Sequence, residues 1–212
     1  MSKTFYTNSF AAGNAMFIHP VAIKTVILGN SVLIVNNANT DTCITVTDIK
    51  RILSGQVKNW KELYPRSTRG DILVVFDNKQ SSTVHYCVDS LLSGKPINSP
   101  NIMAAMTSKE VVEYVEKTPN AIGIIGSNWL NDKRDTTNTT FNKKIRVMSV
   151  SRMDKATPYN SWKPYQYYIY NGNYPLIRTI YALVVDPIRG LPWGFAQFIA
   201  SPKGQMIIFK SG

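Results

Sequence analysis

The chain is made of short apolar runs set between polar, turn-forming stretches, and the apolar spacing switches between strand and helix periods. Thr25 to Asn36 reads as a strand-like run broken at Gly29-Asn30, followed by a turn-rich piece to Thr42. Thr45-Val46-Thr47-Asp48 opens a helix with Val46, Ile49, Ile52 and Leu53 on one face and Gly55 as its stop. Trp60 and Leu63 fall in a short helical turn closed by Pro65. Ile72 to Phe76 predicts a strand, and Ser82 to Ser93 a helix ended by Gly94-Lys95-Pro96. Thr107-Ser108-Lys109-Glu110 resembles a capping box for a helix through Val111, Val112 and Val115 to Pro119. Ala121 to Gly126 predicts a buried strand with glycines where backbones come close. Ile145 to Val150, Tyr165 to Tyr170 and Ile177 to Val185 read as further strands. Pro192 to Ala200 and Gly204 to Lys210 read as helices, with Phe195, Phe198 and Ile199 on one face of the first. Strands alternating with helices make the chain α/β with a mixed sheet. A lobe boundary is expected near Asn36 to Ala38, with a return near Tyr174-Pro175.

A chain of 212 residues forms one large domain or two small lobes, and 44% hydrophobic content makes it globular. No apolar run approaches the roughly 18 residues needed to span a bilayer. The start, Met1 to Asn8, lacks the apolar stretch of a secretory signal. Cys43 and Cys87 are too few and too far apart for a zinc site or a disulfide framework, and Cys87 reads as a small core hydrophobe. His19 and His85 have no evident carboxylate partners, so neither a metal nor another cofactor is expected.

The formal charge of +11 invites anionic partners. The densest basic group, Lys143, Lys144, Arg146, Arg152 and Lys155, precedes Tyr159, Trp162, Tyr165, Tyr167, Tyr168, Tyr170 and Tyr174. Basic residues beside aromatics suit single-stranded nucleic acid. Yet Lys144 and Arg146 alternate with Ile145 and Val147 as in a half-exposed strand, and no nucleic-acid module is recognisable. No nucleic-acid partner is expected.

The chemistry concentrates in Asp77-Asn78-Lys79-Gln80-Ser81-Ser82-Thr83, a polar loop between the strand ending at Phe76 and the helix that follows. A helix start leaves about four N–H donors unpaired and carries roughly half a positive charge, so it seats anions. Taken alone, the segment is better read as a cap, because Ser81, Ser82 or Thr83 satisfies a helix start without any ligand. Ser81, His85 and Asp89 also fall at i, i+4 and i+8, the order of a nucleophile, a base and an orienting acid. A triad gathers its members from separate elements and needs an oxyanion hole, and no Gly-x-Ser-x-Gly elbow is present. No catalytic residue is therefore assigned and no enzyme is expected.

Thr47 to Leu63, with Ser54-Gly55 and Asn59-Trp60, resembles the "helix, Gly, Asn-Trp" signature of the phosphate-binding proteins of ABC transporters. Asp77 to Thr83, Thr118-Pro119-Asn120-Ala121-Ile122-Gly123, Tyr174-Pro175-Leu176 and Ser201-Pro202-Lys203-Gly204-Gln205 follow in the family's order. The variant Val75-Phe76-Asp77-Asn78 with Ser81-Ser82-Thr83 is most similar to Bacteroidetes-type members. The resemblance runs from about Ala22 to Gly212 and implies an α/β fold of the periplasmic-binding-protein type 2 kind, two lobes with mixed sheets. It implies residues 1–36 and 176–212 as a remnant of lobe 1, and residues 37–175 as lobe 2 carrying the anion loop. It further implies inorganic phosphate or a similar oxyanion as ligand, an ABC permease as partner and a periplasmic or outer-surface location. The ligand-binding residues it designates are Asp77, Asn78, Ser81, Ser82 and Thr83.

Two departures shape what is expected. The family's Arg-x-x-x-Ser-Gly-Thr loop falls on Asp77 to Thr83, with Ser82 at the glycine and Asp77 at the arginine. Arginine grips phosphate bidentately, whereas an ionised aspartate repels a dianion unless it accepts a phosphate proton. In addition, only 21 residues precede Ala22, so the first lobe is expected to be incomplete. A micromolar ligand needs about 8 kcal/mol. Charge-assisted hydrogen bonds bring roughly 1.5–3 kcal/mol each against several of association cost. Three loop contacts facing an aspartate give at most millimolar phosphate binding by an isolated monomer. An incomplete lobe also exposes apolar edges, which favours a homo-oligomer. The alternative is a degenerate or truncated module with a structural or interaction role and no ligand.

Overall fold

The structure, a computed structural model, describes residues 22–127, 144–184 and 190–211. His19, Lys143 and the first 21 residues, on which parts of the reading above rest, lie outside them. A six-stranded mixed sheet runs in the order β4 (Ile102–Ala104), β3 (Leu73–Phe76), β5 (Ala121–Gly126), β1 (Ala22–Asn36), β6 (Ile145–Val147), and β8 (Ile177–Val184) pairs with β1 as well. Strands β3, β4 and β5 are parallel, whereas β1 is antiparallel to β5, β6 and β8. Two short strands, β2 (Cys43–Thr45) and β7 (Ser149–Ser151), form a separate parallel pair.

Strand β1 organises the molecule. Its 15 residues reach about 50 Å at strand rise. Ser31 to Val35 pair with β5, and Ala22 to Asn30 pair with β8. The break expected at Gly29-Asn30 does not occur, because β8 supplies ladder partners opposite both residues. The irregularity falls instead between Thr25 and Ile27, as a shift of register.

The sheet is covered on both faces. One core holds Leu33, Val35, Val74, Phe76 and Ile122 of the sheet against α1 (Val46–Leu53) and α2 (Trp60–Leu63). The other holds Val32, Ile34, Val75 and Ile125 against Val111, Val112 and Val115 of α4 (Ser108–Lys117). The alternation along β1 and β3 is what sends neighbouring residues to opposite cores. Helix α1 starts where Thr45 Oγ1 accepts from Asp48 N at 2.9 Å, and it buries Ile49, Ile52 and Leu53. Its stop at Gly55 is enforced twice: φ is +78°, and a Cβ there would lie 2.5 Å from the Asn98 carbonyl oxygen. Asn59 and Glu62 form a reciprocal capping box on α2. Trp60 is fully buried, and its Nε1 donates to the Asn120 carbonyl at 2.9 Å. The Asn-Trp and Asn-Ala-Ile-Gly segments thus clasp each other as packing elements.

Four elements differ from their sequence reading. Tyr165 to Tyr170 is not a strand: α5 (Gln166–Tyr170) is one helical turn, with Tyr168 packed at a tilt against Trp162, 4.7 Å between ring centres. Ile145 to Val150 divides at Met148 into β6 and β7, which serve different sheets. The helix from Ser82 is α3 (Ser82–Tyr86), and the chain then widens into a π-helical turn, Cys87–Leu91. Thr107 caps α4 through Glu110 N, but Glu110 returns its carboxylate to the N–H of Met106, one residue before the box position. Helices α6 (Leu191–Ala200) and α7 (Pro202–Ser211) close the described chain. Phe195 and Phe198 face outward on α6, at 63% and 47% exposure. Among the described residues, no helix is long and apolar enough to cross a membrane.

Candidate functional site at the carboxyl ends of the parallel strands

In open α/β sheets, ligands gather beyond the carboxyl ends of the parallel strands, where the strand order changes direction. Here that place is where β1 leaves β5 and joins β8. Ser31 pairs with Gly126 at the end of β5, Asn30 with Ile177 at the start of β8, and Phe76 of β3 lies beside Ile124. Asp77, which follows Phe76, therefore opens at the same edge.

The polar loop is tightly folded. Asn78 accepts from Gln80 N through its side chain at 2.9 Å and from Ser81 N through its carbonyl at 3.2 Å. Ser81 Oγ accepts from Val84 N at 3.2 Å, so Ser81 is the N-cap of α3. Thr83 is buried. Ser82 is exposed, and neither its N–H nor that of Thr83 has a partner among the described residues. Asp77 turns away from the loop: its Oδ2 accepts from Ser108 Oγ, at the start of α4, at 3.2 Å.

One participant was not visible in the sequence. Arg178, on β8 opposite Gly29, donates from Nη1 to Ser82 Oγ. Ninety-six residues separate the two, and the sheet, through β3, β5, β1 and β8, brings them together. The positive charge of Arg178 also acts on groups that follow Ser82 in the chain. Burial pushes the Cys87 thiol up to about 12, and Arg178 pulls against that shift. Tyr86 is likewise raised by burial, with Arg152 and Arg178 acting the other way.

Buried polar atoms without partners are few in native structures. At this edge they are Asn30 Oδ1, Ser31 Oγ, Asp77 Oδ1 and Arg178 Nε. Asn30 also donates from Nδ2 to Ser127 Oγ at 3.4 Å, just past β5.

The Ser81, His85, Asp89 order does not assemble. His85 and Asp89 are exposed, no hydrogen bond joins the three side chains, and the π-helical turn after Tyr86 breaks the i, i+4, i+8 register. Among the described residues, no group of three or more His, Cys, Asp or Glu side chains is placed to hold a metal ion.

A mixed-sheet α/β architecture with polar groups at the carboxyl edge is that of the type 2 periplasmic binding proteins. The family model described as "PBP superfamily domain" matches residues 4–203, and the chain belongs to that family. Its fold is similar to a possible phosphate binding protein from Planctomyces limnophilus, at a TM-score of 0.66 and 22% identity. That match covers 89% of this chain and 65% of the other. PstS from Borrelia burgdorferi matches with a TM-score of 0.66 at 20% identity, over 90% of this chain and 70% of its own. An ABC-type phosphate transport receptor from Vibrio cholerae gives 0.68 at 20% identity, over 90% and 71%. The chain thus spans 65% of the length of the first of these and 70–71% of the other two. None of the curated proteins matches the chain.

Proposed function

We propose that this chain is an extracytoplasmic solute-binding protein of a phosphate ABC transport system, without a catalytic step of its own. The observation that carries the reading is the pair of N–H groups, Ser82 and Thr83, that have no partner among the described residues, beside the Ser82 hydroxyl at the carboxyl end of β3. The fold in which they sit is shared with solved proteins whose names state phosphate binding or transport. Inorganic phosphate or a similar oxyanion accepts from these donors. Asp77, at the same edge, favours an oxyanion that still carries a proton, because a bare dianion meets its charge. Asn78 and Ser81 hold the loop in shape. An ABC permease is the partner, and the location is periplasmic or on the outer surface.

In this reading residues 1–36 and 176–212 belong to lobe 1 and residues 37–175 to lobe 2. The lobe 1 side presents Leu183, Leu191, Phe195 and Phe198 to solvent, which favours self-association of the chain through that face. A light-scattering mass equal to one chain over a wide concentration range counts against the self-association.

The test is a titration of the isotope-labelled chain with phosphate and, separately, sulfate, followed by amide NMR. Saturable shifts at Ser82 and Thr83 with phosphate, and weaker ones with sulfate, are expected. The competing reading is a degenerate module with no ligand, favoured by the use of Ser81 Oγ as a helix cap and by Asp77 in the loop. Unchanged spectra with both anions select it.

A further inference from the structure

We infer that Arg178 is the cation that grips the anion, so that the positive charge at the Ser81–Thr83 loop comes from β8 and not from the loop itself. This rests on the oxyanion reading above.

Three observations carry it. First, Arg178 Nη1 is already at the site, donating to the hydroxyl of Ser82, whose own N–H has no partner among the described residues. Second, the guanidinium is under-used. It makes no ion pair with a carboxylate among the described residues, and Nε is buried without an acceptor. A guanidinium carries five donors in a planar fork, and leaving a buried one unmade is costly. Third, its position is fixed by the ladder: Arg178 is held opposite Gly29, where β1 passes from β5 to β8. Its charge is felt at Tyr86 and Cys87, one turn along the helix that Ser82 begins.

A tetrahedral oxyanion resting on the Ser82 and Thr83 N–H groups presents two further oxygens. They match the paired donors of a guanidinium, which holds a phosphate through two parallel N–H···O bonds. Ser82 Oγ, now an acceptor from Arg178, turns to donate to the same anion. Asp77 occupies the loop position where an arginine would serve, and the cation is supplied across β1 instead. Ligand binding then ties β8 to the start of α3, which the Arg178–Ser82 hydrogen bond already links.

The experiment compares the full chain with Arg178→Gln, Arg178→Lys and Arg146→Gln in the phosphate titration, with thermal unfolding of each variant as the check on folding. Arg146, on β6, donates to Asn37 Oδ1 and controls for the loss of one positive charge anywhere. Loss of charge-assisted bonds should weaken phosphate about ten- to hundredfold in Arg178→Gln. Arg178→Lys keeps the charge but not the fork, and should recover only part of that loss. Arg146→Gln should bind as the parent does. Unchanged affinity in Arg178→Gln overturns the inference, as does an equal loss in Arg146→Gln. Should Arg178→Gln fail to fold, Arg178→Lys decides, and affinity equal to the parent overturns the bidentate grip. A parent chain that binds no phosphate sinks the functional reading itself, an outcome distinct from any difference among variants.

Discussion

The Tyr174 hydroxyl donates to the Ser31 carbonyl at 2.7 Å, closing a span of 143 residues at the point where β1 changes partners. Ser31 N donates in turn to the Leu176 carbonyl at 3.1 Å. Tyr174 is fully buried, and burial raises its phenol pKa above the ordinary tyrosine value. Tyr174→Phe leaves the packing intact and strips one partner from a buried carbonyl, at a cost of about 1–2 kcal/mol in urea unfolding. The same burial fixes a pH dependence. The unfolded chain releases the cysteine proton near pH 8.5 and the tyrosine proton near pH 10. The native chain keeps both, with Cys87 raised to about 12. Their contribution is whole below pH ~8.5 and is lost as pH rises toward the native values, at roughly 1.4 kcal/mol per pH unit for each titrating group. Urea midpoints measured from neutral to alkaline pH should fall, and less steeply in a Tyr174→Phe, Cys87→Ala double variant.

Gly123 is where α4 comes closest to the sheet. A Cβ there would stand 2.7 Å from both Ile34 Cγ1 and Val111 Cγ1 and 2.9 Å from Val115 Cγ2. All three neighbours are fully buried. Gly123→Ala therefore overpacks the second core and should cost about 1–3 kcal/mol in the same unfolding measurement. An unchanged midpoint would show that α4 can lift off the sheet without penalty.

The α/β class, the buried β5, the capped α1, the helical turn of α2 and the polar loop after β3 were legible because each is written in local spacing and turn or capping residues. The errors share a cause. Tyr165 to Tyr170 has the alternation of a strand, yet Trp162 and the start of the segment fold over Tyr168 and reward one helical turn. Gly29-Asn30 reads as a break, and only the distant β8 carries the strand through it. Arg178 belongs to the same class of long-range information. It is the second residue of β8, two positions past Tyr174-Pro175-Leu176, and its proposed place at the site depends on Gly29 as its ladder partner and Ser82 as its acceptor.

Ser81 and His85 separate a structural role from a chemical one. Ser81 Oγ holds Val84 N, so Ser81→Ala should lower stability by about 1 kcal/mol in urea unfolding. His85 is exposed, and its side chain makes no hydrogen bond with Ser81 or Asp89. His85→Ala should change neither stability nor the phosphate titration. Hydrolysis of a nitrophenyl ester that disappears in both variants would restore the triad reading.

Asp77 should set which anion is accepted. Its Oδ2 is committed to Ser108 Oγ, while Oδ1 is buried and without a partner. A carboxylate held in that way meets any oxyanion at the carboxyl edge of β3 with like charge. Near a protein surface, two unit charges 4 Å apart repel by about 4 kcal/mol before screening. Monohydrogen phosphate escapes part of that cost by turning its proton toward the carboxylate, and sulfate has no proton to turn. Asp77→Asn removes the charge while keeping an oxygen for Ser108. Sulfate affinity should then rise about tenfold or more, phosphate should change less, and the preference between them should collapse. Parallel titrations of the parent and the variant with both anions decide the matter. A preference for phosphate that survives Asp77→Asn would move the discrimination to Arg178 and the loop N–H groups.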